Sequence, residues 1–285
     1  MPDADIVVLP PDIDDQVRHA LREDVGSGDL TAALVPAGQR VEAAILTRQN
    51  AVICGQAWVE RVFGQVDPAI RVQWQVAEAQ SVASDALLCR VTGAARGLLT
   101  AERTALNFLQ MLSGTATAAR EYVDAVAGTG ARILDTRKTV PGLRLAQKYA
   151  VRCGGADNHR IGLYDAILVK ENHIAAAGSI RAAASKARAT GVFVEIEVER
   201  LAQMEEALQT GADRLLLDNF TLETLRDAVE KRNSIAPGVQ LEASGGITLA
   251  NVRSVAETGV DFISVGAITK HVRAVDLSMR FQFAD

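Results

Sequence analysis

The 285-residue sequence predicts an α/β protein: a β/α barrel, closed or nearly so, preceded by a smaller domain built on an antiparallel sheet. Two observations carry this. From about Arg132 onward, short apolar runs alternate with amphipathic segments, the pattern of parallel strands joined by crossover helices. Before that point the rhythm is absent, and polar and apolar residues alternate as in a sheet with one face in water.

In order along the chain, a helix is expected over residues 14–23, leading into the turn-rich Gly26-Ser27-Gly28-Asp29. Strand-like stretches follow at 41–47, 51–54, 71–76 and 86–92, with Val72-Gln73-Trp74-Gln75-Val76 showing the alternation. Residues 100–126 read as a long helical region, interrupted near Gly114, that joins the halves. Barrel strands are expected at 132–135, 166–169, 192–198, 214–217, 240–243 and 262–265, with helices around 144–152, 179–189, 201–209, 222–231 and 249–257. Residues 276–283 have strand character and are expected to fold back on the first domain. The expected domains are 1–113 and 114–274, with 275–285 returning to the first.

Composition narrows the function. Hydrophobic residues at 48% and charged residues at 23% fit a folded globular chain and argue against disorder. Aromatics at 4% and a pI near 5.5 provide neither stacking platforms nor a broad cationic surface, so nucleic acid is not an expected partner. Cys54, Cys89 and Cys153 fit neither a disulfide framework nor a zinc pattern, which points to the cytoplasm. The acidic start, with Asp3, Asp5, Asp12, Asp14 and Asp15, lacks the features of a signal peptide, and no apolar run reaches membrane-spanning length. Four scattered histidines (His19, His159, His173 and His271) lack the spacing of a transition-metal site.

Against a net charge of −5, residues 136–173 carry seven Lys or Arg and three Asp or Glu. Cations just past strand ends point to a pocket for a small, multiply negative ligand. Six successive strands end in ionisable or Gly/Ser groups: Asp135-Thr136-Arg137-Lys138, Lys170-Glu171, Glu195 with Glu197 and Glu199, Asp218-Asn219, Ser244-Gly245-Gly246, and Ser264-Val265-Gly266. In a β/α barrel these ends converge on one cavity. Alternation places Glu195, Glu197 and Glu199 on one strand face, turned to that cavity. Glu197 and Asp218 then form a carboxylate pair opposite the cations, able to bind sugar hydroxyls, hold a hydrated Mg²⁺ or stabilise positive charge on a sugar carbon. Ser244-Gly245-Gly246, expected to open a helix, and Ser264-Val265-Gly266-Ala267 one unit later suit a phosphate. Arg137 and Arg160 suit bidentate carboxylate binding, whereas Lys138 and Lys170 act as point charges. Arg144, Lys148 and Arg152 recur at helical spacing and read as a charged helix face. Lys170 or Lys138 at a strand end also permits a Schiff-base lyase; a phosphometabolite binder without turnover is a third reading.

The same residues carry a resemblance. Thr136-Arg137-Lys138-Thr139, Pro141-Gly142-Leu143-Arg144, Lys148-Tyr149-Ala150-Val151, Gly154-Gly155, Asn158-His159-Arg160, Gly162-Leu163-Tyr164-Asp165 and Lys170-Glu171-Asn172-His173-Ile174 resemble the quinolinate phosphoribosyltransferase family, the decarboxylating nicotinate-nucleotide pyrophosphorylases. The match extends to Glu23-Asp24-Val25-Gly26, Glu102-Arg103-Thr104-Ala105-Leu106-Asn107, Leu112-Ser113-Gly114, residues 195–199, Leu217-Asp218-Asn219-Phe220 and Glu242-Ala243-Ser244-Gly245-Gly246. One departure is Thr269-Lys270-His271, where the family often has Thr-His-Ser. The resemblance implies an open barrel with an N-terminal α/β sandwich. It implies phosphoribosyl transfer from phosphoribosyl pyrophosphate to quinolinate with decarboxylation, and Mg²⁺ arriving with the pyrophosphate rather than in a preformed cage. It further implies a homodimer in which Arg103 reaches the neighbour's site. On this reading Arg103, Arg137, His159, Arg160 and Lys170 face the pyridine dicarboxylate, together with Thr136. Lys138 lies between it and pyrophosphate, Glu197 and Asp218 face the ribose, and Ser244, Gly245, Gly246, Ser264, Val265, Gly266 and Ala267 face phosphate.

Overall fold

The computed structural model describes residues 7–283; Asp3 and Asp5, and the outer limits of segments 1–113 and 275–285, lie outside them. The first half of the chain contains α1 (Ile13–Val25), β1 (Arg40–Thr47), β2 (Ala51–Val52), α2 (Gln56–Val66), β3 (Arg71–Trp74), β4 (Ser81–Val82), β5 (Leu87–Ala94) and α3 (Ala95–Ala125). The next elements are β6 (Arg132–Leu134), α4 (Arg144–Cys153), β7 (Ile167–Val169), α5 (Glu171–Ala177), α6 (Ile180–Arg188), β8 (Val194–Val198) and α7 (Leu201–Leu208). The chain continues with β9 (Arg214–Asp218), α8 (Leu222–Ile235), β10 (Gln240–Ser244), α9 (Val252–Ala256), β11 (Phe262–Ser264), α10 (Ala267–Lys270) and β12 (Leu277–Phe283). They form two compact units.

One unit comprises Met1–Arg120, Val140–Gly155 and His271–Asp285. Its frame is an antiparallel sheet in the order β12-β1-β5-β3, with the pair β2-β4 beside it in sequence. Along β1, Val41, Ala43, Ile45 and Thr47 are buried and the residues between them are not, as a one-sided sheet requires. The returning strand β12 pairs antiparallel with β1, Phe281 opposite Ala43. The stretch 56–66, left unassigned by the sequence pattern, forms α2, which buries Trp58, Val59, Val62 and Phe63 on one face.

Two expectations are corrected here. The long helix α3 runs without a break past Gly114. At that position the backbone carbonyl of Arg273 approaches so closely that a Cβ would lie 2.2 Å from its oxygen. The glycine admits a neighbouring backbone; it does not end the helix. The helix α4 packs in this first unit: Ala146, Tyr149, Ala150 and Cys153 join the core that holds Trp58 and Phe63. Lys148 is buried, so Arg144, Lys148 and Arg152 do not form a solvated stripe.

The other unit comprises Glu121–Thr139 and Ala156–Lys270. Its sheet is wholly parallel, in the order β6-β11-β10-β9-β8-β7. β6 and β7 stay at the two edges among the described residues, with the Leu134–Asp157 bridge added beside β6, so the barrel is open. Strands such as β9, with Leu215, Leu216 and Leu217 buried, carry the continuous apolar run of strands covered on both sides. Two of the crossover helices start on side-chain caps: Ser179 Oγ accepts from the Ala182 amide before α6, and Thr221 Oγ1 from the Thr224 amide before α8. Among the described residues no helix is long and apolar enough to cross a membrane.

Candidate active site

The carboxyl ends of the parallel strands surround a pocket of about 320 Å³. Thr136, Arg137 and Lys138 reach it from the end of β6, and His159 and Arg160 from the loop beyond Asp157. Leu168 and Lys170 come from β7, Glu197 from β8, Leu216 and Asp218 from β9, Glu242 and Ser244 from β10, and Ser264 from β11. The rule that parallel strands aim their terminal side chains at one cavity thus gathers Thr136, Arg137, Lys138, His159, Arg160, Lys170, Glu197, Asp218, Ser244 and Ser264.

Local geometry explains the arrangement. Asp135, fully buried at the end of β6, accepts from the Asn158 side chain at 2.8 Å and from the His159 amide at 2.8 Å, which anchors the 158–160 turn. Thr136 Oγ1 accepts the Lys138 amide, and the Thr269 hydroxyl donates to the Lys138 carbonyl at 2.8 Å. Arg160 Nη1 donates to the Ala166 carbonyl at 3.2 Å. Burial and then the Arg137 charge lower the proton affinity of Arg160, so two guanidiniums crowd one wall. Both remain charged, because guanidinium cannot be neutralised near physiological pH. Lys170 Nζ pairs with Glu197 Oε2. The carboxyl of Asp218 is raised by burial and next by Glu197, an effect opposed by Lys170 and Lys138. Four cations therefore share the rim with two carboxylates, a surplus that calls for an anion.

The glycine turns differ from expectation in one respect. Ser244-Gly245-Gly246 does not open directly into a helix; α9 begins only at Val252 and has five residues. The anion-binding argument here rests on the turn, not on a helix terminus. Gly245 and Gly246 have φ of 96° and 61°, and a Cβ on Gly245 would lie 2.1 Å from Asn219 Oδ1, so only glycine fits at 245. Gly266 lies beside Lys138, whose Cδ would be 3.1 Å from an added Cβ. Val265 is buried, and its amide donates to the Leu134 carbonyl, which makes it a support for the turn. Ala267 starts the four-residue α10. Arg103 belongs to the other unit, where it is exposed on α3. Of the three carboxylates expected on one strand face, Glu197 faces the pocket, Glu195 is buried deeper, and Glu199 lies past the strand end, exposed. His173 accepts the Lys170 amide through Nδ1 at 2.9 Å, closing the start of α5.

The sequence reading did not place Glu242 or Arg214 in the site. Glu242 is fully buried, 3.1 Å from Arg214 Nη1 and 3.6 Å from His159 Nε2, and burial with Glu195 beside it pushes its carboxyl up to about 8. The available signal was alternation: Glu242 stands two residues before Ser244, as Glu195 does before Glu197.

An open parallel barrel with cations crowded at its mouth, paired carboxylates and two tight glycine turns defines an enzyme that handles polyanionic substrates. Comparison with known proteins narrows the class. The profile described as "Quinolinate phosphoribosyl transferase, C-terminal domain" matches residues 115–280, and that of the N-terminal domain matches residues 29–113. The chain is 46% identical over 273 residues to the carboxylating nicotinate-nucleotide pyrophosphorylase of Mycobacterium leprae, covering 93% of this chain and 95% of that one. It is 37% identical over 301 residues to the decarboxylating, mitochondrial quinolinate phosphoribosyltransferase 2a of Nicotiana tabacum, covering 96% and 84%. The structure of the nicotinate-nucleotide pyrophosphorylase from Francisella tularensis superposes with a TM-score of 0.93 at 48% identity, covering 97% of this chain and 99% of that one. The chain belongs to the quinolinate phosphoribosyltransferase family.

Proposed function

We propose that this protein transfers the phosphoribosyl group of phosphoribosyl pyrophosphate to the ring nitrogen of quinolinate and decarboxylates the product, giving nicotinate mononucleotide, pyrophosphate and carbon dioxide for de novo NAD synthesis. The observation that carries this is one pocket lined by Arg137 and Arg160, close enough that one charge disfavours the other, together with Glu197 and Asp218. Two adjacent guanidiniums suit two adjacent carboxylates of one aromatic ring.

In this reading Arg137, Arg160 and Lys170 bind the dicarboxylate, with Thr136 and His159 lining its seat. Lys138, beside Gly266, bridges toward pyrophosphate. Ser244, Gly245, Gly246, Ser264, Val265, Gly266 and Ala267 form or support the phosphate turns. Holding the ring nitrogen against the sugar carbon removes much of the entropic barrier. The new carbon–nitrogen bond forms as the bond from that carbon to pyrophosphate oxygen breaks, and Glu197 and Asp218 stabilise the positive charge that develops on the sugar. The ribosylated ring is cationic, so it accepts the electron pair left when the adjacent carboxylate departs as carbon dioxide; the ring carbon then takes up a proton. Asp218 offers a hard, half-buried oxygen donor suited to Mg²⁺ carried by the pyrophosphate, which would neutralise leaving-group charge.

The protein works as a cytoplasmic homodimer in which Arg103 completes the partner's site. The exposure of Arg103 on α3 supports this, as do three buried cysteines kept as free thiols. The Schiff-base alternative is disfavoured, because a lysine ammonium paired with Glu197 is a poor nucleophile. Release of carbon dioxide from carboxyl-labelled quinolinate, with and without phosphoribosyl pyrophosphate, tests the proposal. Release that depends on the second substrate is expected; none, or release without it, refutes the assignment.

A further inference from the structure

Below the rim, four side chains from four segments meet inside the barrel. Glu195 of β8 and Glu242 of β10 have side-chain exposures of 2% and 0%, and Arg214 comes from the start of β9. Arg214 Nη1 donates to Glu242 Oε2 at 3.1 Å, and its guanidinium lies 4.0 Å from the Phe262 ring centroid, which pins it in place. His159 links this group to the rim. Its Nδ1 accepts the Arg160 amide N–H at 2.8 Å, so that nitrogen carries no proton. Nε2 must then carry it, and Nε2 is 2.8 Å from Glu195 Oε2 and 3.6 Å from Glu242 Oε2. The imidazole is therefore neutral, in one tautomer, with both nitrogens engaged by the protein.

Charge balance is compatible with this state. With His159 neutral, two buried carboxylates beside one guanidinium leave a net negative charge in low dielectric unless they share a proton. Burial raises both carboxyls, and Glu195 beside it raises Glu242 further, which favours one proton held by the pair. Each also has one buried oxygen, Oε1, that no protein donor reaches. With one proton on the pair, Arg214, Glu195, Glu242 and neutral His159 sum to zero charge.

We propose that Glu195, Glu242 and Arg214 are positioning residues: they hold His159 in its neutral Nε2–H form, keep Nδ1 as acceptor for the Arg160 amide, and so set the Arg160 guanidinium for the substrate. This deepens the reading above, on which it rests, by taking Arg160 as a ligand of the pyridine dicarboxylate. Protonation of Nδ1 would set two N–H groups against each other at Arg160. Loss of the shared proton would place two carboxylates against one another and loosen the seat of His159. The titratable and charged groups around Glu242 are Glu195 on β8, Arg214 on β9 and His159 from the loop; Glu197 and Arg160 act on Glu195. From β11 comes the uncharged Phe262 ring, with the Arg132 guanidinium 5.7 Å from its centroid.

Two measurements on the full chain test this. In substrate-free protein labelled with ¹⁵N-histidine, the His159 ring at about pH 7 should show a bare Nδ1 and a protonated Nε2; a protonated Nδ1 overturns the proposal. Calorimetric titration with quinolinate across pH should show affinity falling about tenfold per pH unit above about 8. In Glu242→Gln, which keeps a hydrogen-bonding group that cannot ionise, that fall should vanish. An unchanged alkaline loss in the variant overturns the proposal. Absence of quinolinate binding at every pH would reject the substrate reading, and the tautomer would still decide the positioning role. If Glu242→Gln does not fold, the tautomer of the natural chain remains decisive.

Discussion

At the mouth of the barrel, the charge of Arg137 disfavours that of Arg160, and Asp218 is raised by burial and its neighbour Glu197. Beneath it, Arg214, Glu242, Glu195 and His159 hold one another through contacts of 2.8–3.6 Å. The mouth gathers like charges whose repulsion a bound polyanion relieves, whereas the floor pairs opposite ones. Relief of repulsion supplies differential binding, and a paired buried network supplies rigidity for the groups above it. The contrast predicts that substitutions at the mouth cost turnover, and that those at the floor change substrate affinity and pH response.

The largest effect belongs to the crowded wall. Arg137→Ala should lower kcat/KM for quinolinate roughly a hundredfold or more, since truncating one partner of a desolvated charge contact costs about 2–5 kcal/mol. The circular dichroism spectrum should not change; near-normal turnover would remove Arg137 from the dicarboxylate site. Next, Glu197→Gln should reduce kcat by roughly a hundredfold with little change in KM, because stabilising charge only in the transition state is worth about 3 kcal/mol. A change confined to KM would make Glu197 a binding residue. At the floor, Glu195→Gln should raise the quinolinate KM about tenfold through the weakened hold on His159, leaving the KM for phosphoribosyl pyrophosphate unchanged. An equal rise in both would erase the distinction between floor and mouth.

A further effect is on stability. The Glu242 carboxyl, ordinarily ionised above about 4.5, is pushed up to about 8 by burial and Glu195. Between those values the folded chain keeps a proton that the unfolded chain releases, so stability falls as pH rises through this window and levels off above it. Glu242→Gln has no such proton, and its melting temperature should gain on that of the natural chain from about pH 5 to 8. Parallel curves for the two proteins would show that Glu242 ionises freely in the fold.

Much of the architecture is legible in the chain because its signals are local. The six barrel strands, the helices α4, α6, α7, α8 and α9, and the strand character of 276–283 follow from hydrophobic period and length, whereas α5 does not. The uninterrupted α3 was not legible, since Gly114 looks the same whether it breaks a helix or admits the Arg273 backbone. Nor was the burial of Lys148, because helical spacing repeats a charge without saying what faces it.

The site divides in the same way. Polar residues at successive strand ends by themselves determined which side chains converge, because parallel strands must present their carboxyl ends to one side. Only the tertiary structure decided that Glu195, Glu242 and Arg214 meet beneath His159, and that a short turn, not a helix start, carries Gly245 and Gly246. A backbone pattern records which face a residue takes. The protonation state of a buried carboxyl depends on which distant charges the closed packing brings within a few ångströms, and no local period encodes that.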